Sequence, residues 1–210
     1  DSPAWAIIRQ AETWSADLVV VGSHGRSILE RLFLGSVAER VVAEAKCTVR
    51  ICRPQPSSNL PRILVAVDGS VGSEVAVREV ATRHWPAGTV ARVMAVVDPR
   101  LQSAAAWPGV FANRWITGDT LQADEWVRGM TAHFTEMLRA AGIQAESHVF
   151  KGDPKHVVLK QAEEWTADTI FLGARGLQHG DRLYLGTFAS SVAARAHCSV
   201  EVVRPAAHAR

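Results

Sequence analysis

One short pattern, written twice, constrains this chain more than any other feature. Gly22-Ser23-His24-Gly25, nine residues and Gly35-Ser36 recur as Gly173-Ala174-Arg175-Gly176, nine residues and Gly186-Thr187. Each copy follows an apolar run of strand type (Leu18 to Val21; Thr169 to Leu172) and precedes a helical pattern. Strand, glycine turn and helix start together make an anion cradle: glycine lets the backbone approach closely, and N–H groups at the helix start point at the ligand. The Ser36 and Thr187 hydroxyls are expected to act as helix N-caps and as further phosphate donors. The spacing is not that of a P-loop, which ends in Gly-Lys-Ser or Gly-Lys-Thr, nor is it G-x-G-x-x-G.

The pattern belongs to a longer repeat. Sliding the chain on itself by 151 positions aligns residues 1–54 with 152–205 without a gap, and 21 of the 54 pairs are identical. Pro3 with Pro154, Trp14 with Trp165, Asp17 with Asp168 and Cys47 with Cys198 are among them. Such self-similarity marks a duplicated domain. Residues 62–151 have no counterpart in front of the first copy. The expected organisation is therefore the C-terminal portion of one domain over 1–54, a linker over 55–61, a complete domain over 62–205 and a tail over 206–210, as in a tandem protein shortened at its front.

In chain order, Pro3 to Ser15 is a helix with Ser2 as N-cap and Pro3 at its first position. Asp17 to Val21 is a strand without alternation, as in a parallel sheet covered on both faces. A helix over Ser36 to Ala45 and a strand over Cys47 to Cys52 follow. In the second domain, strands are expected at Ile63 to Val67, Thr89 to Val97, Gln144 to Phe150, Thr169 to Leu172 and Ser199 to Val203. Helices are expected at Ser73 to His84, Asp119 to Ala141, Asp153 to Trp165 and from Thr187 onward. The stretch from Asp98 to Gly118, with Trp107 and Trp115, has no clear period and reads as a long loop, a lid or a partner surface. Trp14 and Trp165 fall on apolar helix faces. Alternating strands and helices give an α/β fold with a doubly wound, parallel, five-stranded sheet, and a ligand site beyond the carboxyl ends of the strands where strand order reverses.

The G-x2-G-x9-G-[ST] pattern after a strand, together with Val65-Ala66-Val67-Asp68-Gly69-Ser70 as an opening strand and turn, resembles the universal stress protein family in its ATP-binding branch. The resemblance implies a Rossmann-like fold of the adenine nucleotide alpha-hydrolase kind and a cytoplasmic regulatory module of the stress response. Its ligand would be ATP, or AMP or ADP, with Mg2+ as a candidate companion. Asp68 would then bind the adenosine portion; Asp-Gly-Ser by itself reads as a turn or N-cap carboxylate, and it is the glycine turn downstream that favours the ligand reading. Similarity places Val96 and Val97 around the base and Gly173, Gly176, Gly186 and Thr187 around ribose and phosphates, with Ala66, Leu172 and Phe188 as further candidates for contact with the nucleotide. Arg175 is either a charge-assisted phosphate donor or a solvent-facing residue. Gly22, Gly25, Gly35 and Ser36 form the partial site of the first copy, which lacks the strand that would bring an aspartate.

The sequence departs from the family pattern at Ala189 and Ala38, where many members carry a second hydroxyl. A pure interaction module, without nucleotide, is the alternative reading. Domains of this family pair through their last strands, so Cys47–Cys52 and Ser199–Val203 are expected to meet within one chain, or between two chains of a dimer. Further protein partners are unidentified. An enzyme of similar fold, transferring adenylyl groups or electrons, is a third possibility, but no general base or Walker-type lysine accompanies the loop.

Composition sets the remaining bounds. The formal net charge is +2 and basic residues are scattered, which argues against nucleic acid as a partner. No apolar run reaches the roughly 20 residues of a membrane span. Cys47, Cys52 and Cys198 form no CxxC and read as buried reduced thiols, and the eight histidines show no metal-ligand spacing.

Overall fold

A computed structural model describes residues 2–23, 34–54, 60–98, 123–176 and 185–205. Gly25 and the expected loop beyond Asp98, with Trp107 and Trp115, lie outside these residues. The elements are α1 (Pro3–Thr13), β1 (Leu18–Gly22), α2 (Ser36–Glu44), β2 (Thr48–Cys52), β3 (Arg62–Ala66), α3 (Val71–Thr82), β4 (Val90–Val97), α4 (Ala123–Ala140), β5 (Gln144–Lys151), α5 (Pro154–Glu164), β6 (Thr169–Gly173), α6 (Thr187–Arg195) and β7 (Ser199–Val203).

The helix starts follow from local chemistry. Asp153 accepts a hydrogen bond from the His156 N–H at 3.1 Å and Pro154 opens α5, while the Ser70 hydroxyl caps α3 by accepting from the Ser73 N–H at 3.2 Å. Helix α3 consequently begins at Val71, two residues before its expected start.

The sheet runs β1-β2-β7-β6-β3-β4-β5, with every neighbouring pair parallel except β2 and β7. Strands β3 to β7 make the expected five-stranded parallel sheet. That sheet does not stop at β7: its outer backbone groups pair with β2, and the sheet extends to seven strands. Helices α1, α2, α5 and α6 cover one face, where Val49, Ile51, Leu64, Ile170, Leu172 and Val200 are buried. Helices α3 and α4 cover the other, over Ile63, Val65, Val93 and Phe171.

The β2–β7 seam is nearly symmetric. Arg50 stands opposite Glu201 in register, flanked by Val49–Val202 and Ile51–Val200. Arg53 donates from its backbone N–H to Ser199 Oγ at 3.2 Å, and from its guanidinium to the carbonyls of Cys198 at 3.2 Å and Ala193 at 2.6 Å. Arg204 does the same toward Thr48 Oγ1 at 3.2 Å, the Cys47 carbonyl at 3.4 Å and the Val42 carbonyl at 2.6 Å. Each arginine thus satisfies carbonyls at the end of the other repeat's helix, α6 or α2, that the helix itself leaves unpaired.

Equivalent positions are not always equally buried. Trp165 packs under Arg62 and Arg92, whose guanidinium carbons lie 5.8 and 4.5 Å from its ring centre. Trp14 is 76% exposed, against the expectation from helix periodicity. Strands β3 and β4 supply the two arginines over Trp165, and no described strand stands in the same relation to Trp14.

Candidate functional site

The strand order turns back between β3 and β6, and there the carboxyl ends of β3, β4 and β6 open into a crevice of about 270 Å3. Its apolar lining comes from Ala66, Met94, Val96, Leu172, Val158 and Phe188, with Trp126 and Met130 of α4 along one side. Its polar rim is Asp68, Ser70, Asp98, Arg175 and Thr187, with the backbone at Gly173, Gly176 and Gly186.

Most of the expected site residues are brought together here. Val97 is not: strand alternation turns it away from Val96, and it is 2% exposed in the core beneath α3 and α4. Met94 lines the crevice instead, two residues before Val96 on the same face of β4, a period-2 signal legible in the strand. Trp126 and Met130 stand one helical turn apart on the buried face of α4.

Asp68 takes the turn role and also borders the crevice. Its Oδ1 accepts from the Ser70 N–H at 3.0 Å and holds the turn. Its Oδ2 faces the glycine loop, where a Cβ at Gly176 would stand 2.6 Å away. Gly69 supplies the left-handed backbone of this turn, with φ +82°, and a Cβ there would meet Trp126 Cη2 at 2.5 Å. Ser70 Oγ donates to the Arg175 carbonyl at 3.3 Å and so ties the start of α3 to the glycine loop.

The glycines do different jobs. A Cβ on Gly173 would stand 2.5 Å from the Gly72 carbonyl carbon and 2.8 Å from its oxygen, so this glycine permits β6 and α3 to pack backbone on backbone. Gly176 leaves room beside the Asp68 carboxylate, on the side of the crevice. Gly186 is the N-cap of α6, in extended conformation, and Gly35 that of α2. The expected capping by Thr187 and Ser36 is therefore corrected: both are the first helical residue. A glycine cap has no side chain to offer, so N–H groups of the first turn of α6 are left at the edge of the crevice.

The first copy repeats the backbone of the turn. The Ser23 N–H donates to the Cys52 carbonyl at 3.0 Å and the Gly35 N–H to the Ser23 carbonyl at 2.8 Å. The corresponding bonds are Ala174 to Val203 at 2.9 Å and Gly186 to Ala174 at 2.8 Å. Gly22 ends β1 and Ser36 opens α2, but no described carboxylate takes the place of Asp68 there.

Burial shifts two groups at the β2–β7 seam. It pulls the Arg204 guanidinium down to about 10, opposed by Cys47 and reinforced by the charge of Arg175. Burial likewise pushes the Cys198 thiol up to about 12. Cys198 is buried, while Cys47 and Cys52 are partly exposed, and all three are free thiols. No three His, Cys, Asp or Glu side chains converge as metal ligands among the described residues, and none of their helices is long and apolar enough to cross a membrane.

The Universal stress protein family matches this sequence twice, over residues 1–53 and 59–204. A universal stress protein of Staphylococcus aureus strain USA300 is 31% identical over 147 residues, 68% of this chain and 82% of the relative. One of Methanocaldococcus jannaschii is 49% identical over 51 residues, and one of Synechocystis is 30% identical over 83. Those two alignments span 30% and 51% of the relatives' own lengths. In fold, a universal stress protein from Archaeoglobus fulgidus superposes with a TM-score of 0.63 at 24% identity, over 98% of this chain and 66% of the other. A Pseudomonas aeruginosa protein does so with a TM-score of 0.68 at 18% identity, over 98% of this chain and 69% of the other. The doubled glycine turn, the doubly wound sheet and the match over both repeats are those of one group, and the chain belongs to the universal stress protein family.

Proposed function

We propose that the crevice binds an adenine nucleotide, ATP or its mono- or diphosphate, and that the bound nucleotide is a ligand rather than a substrate. The observation that carries this reading is the placing of the Asp68 carboxylate beside Gly176: a methyl group at that glycine would stand 2.6 Å from Oδ2. A carboxylate of that kind suits the two hydroxyls of a ribose. The apolar floor of Ala66, Val96, Met94 and Leu172 fits the faces of a purine, while the start of α6 offers N–H donors and a favourable dipole to phosphates. Thr187 and Arg175 add a hydroxyl and a charge at the same end. A magnesium ion would be held chiefly by the phosphates, with Asp68 and Asp98 the carboxylates bordering the crevice. Ala189 supplies no hydroxyl to the phosphates.

The test is calorimetric titration of ATP and AMP into the full chain, beside Asp68→Ala and Gly186→Trp. Binding at micromolar concentration that both substitutions abolish supports the reading. Unaltered binding in both variants, or none in the parent, overturns it. The second reading, a glycine turn that serves only packing, is favoured by Gly173, whose missing side chain makes room for Gly72.

A further inference from the structure

We infer that the β2–β7 seam fits two occupants by shape and chooses between them by charge: the Arg50–Glu201 pair at its centre admits the unlike repeat and disfavours a second copy of the larger one. The argument starts from the repeat. Arg50 and Glu201 occupy equivalent positions, 151 residues apart, and face each other in register across the seam. Only the residues on an axis of antiparallel pairing oppose their own equivalents, so these two mark the local pseudo-twofold axis.

Away from the axis the seam is self-complementary. The acceptors that Arg204 uses on the first repeat are the Val42 and Cys47 carbonyls and Thr48 Oγ1; their counterparts on its own repeat are the Ala193 and Cys198 carbonyls and Ser199 Oγ. Two copies of the 62–205 repeat, joined β7 to β7, would reproduce the whole arginine clasp. At the axis they would set Glu201 against Glu201.

That position is costly for like charges. Glu201 is fully buried, and in the observed seam it meets Arg50 Nη1 at 3.5 Å from one side and Arg83, which follows α3, from the other. Arg50 also donates to Thr169 Oγ1 at 3.0 Å. In a like pairing each Glu201 would keep its own Arg83, lose the arginine across the seam and gain a carboxylate in its place. A buried charge deprived of a partner weighs far more than an exposed one.

The linker would hide this choice by holding the unlike repeats at high effective concentration. The test therefore places a protease site in residues 55–59 of the full chain and cuts it after folding, so that the seam alone joins the pieces. Native mass spectrometry then reads unlike pairs against dimers of the larger piece. Arg50→Lys, Arg50→Met and Arg50→Glu are compared; none alters the larger piece. The expected result is unlike pairs for the parent and Arg50→Lys, about a tenfold rise in the like dimer for Arg50→Met, and a larger one for Arg50→Glu. Equal fractions across the series, or predominance of the like dimer in the parent, would overturn the inference. The Lys–Met comparison, in which size is kept and charge removed, decides the matter even where Arg50→Glu does not fold.

Discussion

Arg53 and Arg204, equivalent residues of the two repeats, each close the end of the other's helix: Arg53 Nη2 reaches the Ala193 carbonyl at 2.6 Å and Arg204 Nη2 the Val42 carbonyl at 2.6 Å. Either substitution to alanine removes a partly buried charged donor and leaves helix-end carbonyls unmatched. Arg53→Ala and Arg204→Ala should each destabilise the chain by about 3 kcal/mol. Because both act on one seam, the double variant should lose less than the sum of the two. Urea midpoints of the four proteins measure this, and strict additivity would contradict a shared seam.

Gly173 and Gly176 should separate stability from binding. Gly173→Ala drives a methyl into the Gly72 backbone, which has no side chain to swing aside, and should lower stability by about 2 kcal/mol. Gly176→Ala meets a carboxylate that can rotate, so its melting temperature should change little while affinity for ATP falls. Thermal unfolding and calorimetry on the same two variants check the pair; matching losses in both measurements would refute the division.

The two tryptophans at equivalent positions should respond unequally. Trp14→Ala should fall within about 0.5 kcal/mol of the parent, as exposed positions do. Trp165→Ala removes a half-buried ring with Arg62 and Arg92 stacked near it, and should cost about 2 kcal/mol. Denaturant midpoints distinguish the two.

Cys198 makes stability depend on alkaline pH. Its thiol ordinarily titrates near 9.0 and is pushed up to about 12 by burial, so between these values the folded chain holds a proton that the unfolded chain has released. Its contribution is complete below pH 9 and declines as pH rises toward 12. Cys198→Ala should flatten this part of the stability curve. In the native parent, maleimide should label Cys47 and Cys52 first and Cys198 only on unfolding.

The parts of the molecule most legible in the sequence were those governed by local chemistry. Glycine spacing located both turns, the Asp-Gly-Ser turn announced the rim carboxylate, and apolar runs gave the parallel strands. What escaped was settled by neighbours distant in sequence. Val97 and Val96 look alike, yet β4 is covered on both faces and only one face reaches the crevice. Trp126 and Met130 belong to a helix whose apolar stripe carries no mark of a ligand wall. Thr187 looked like an N-cap because the hydroxyl favours that role, but Gly186 already has the extended backbone a cap requires. Arg50 and Glu201 were two unremarkable charges until the pairing of β2 with β7 set them face to face.

That pairing also bears on how the chain folds. Arg50 must wait for a partner 151 residues further along the chain, so the seam is among the contacts of longest range in the molecule, the kind whose loop-closure cost slows folding. Until then β2 offers Val49 and Ile51 on an unpaired edge, the kind of strand that draws in a neighbouring nascent chain. The arginine between them places a charge in the middle of that edge and guards against the wrong encounter while the right one is still being made.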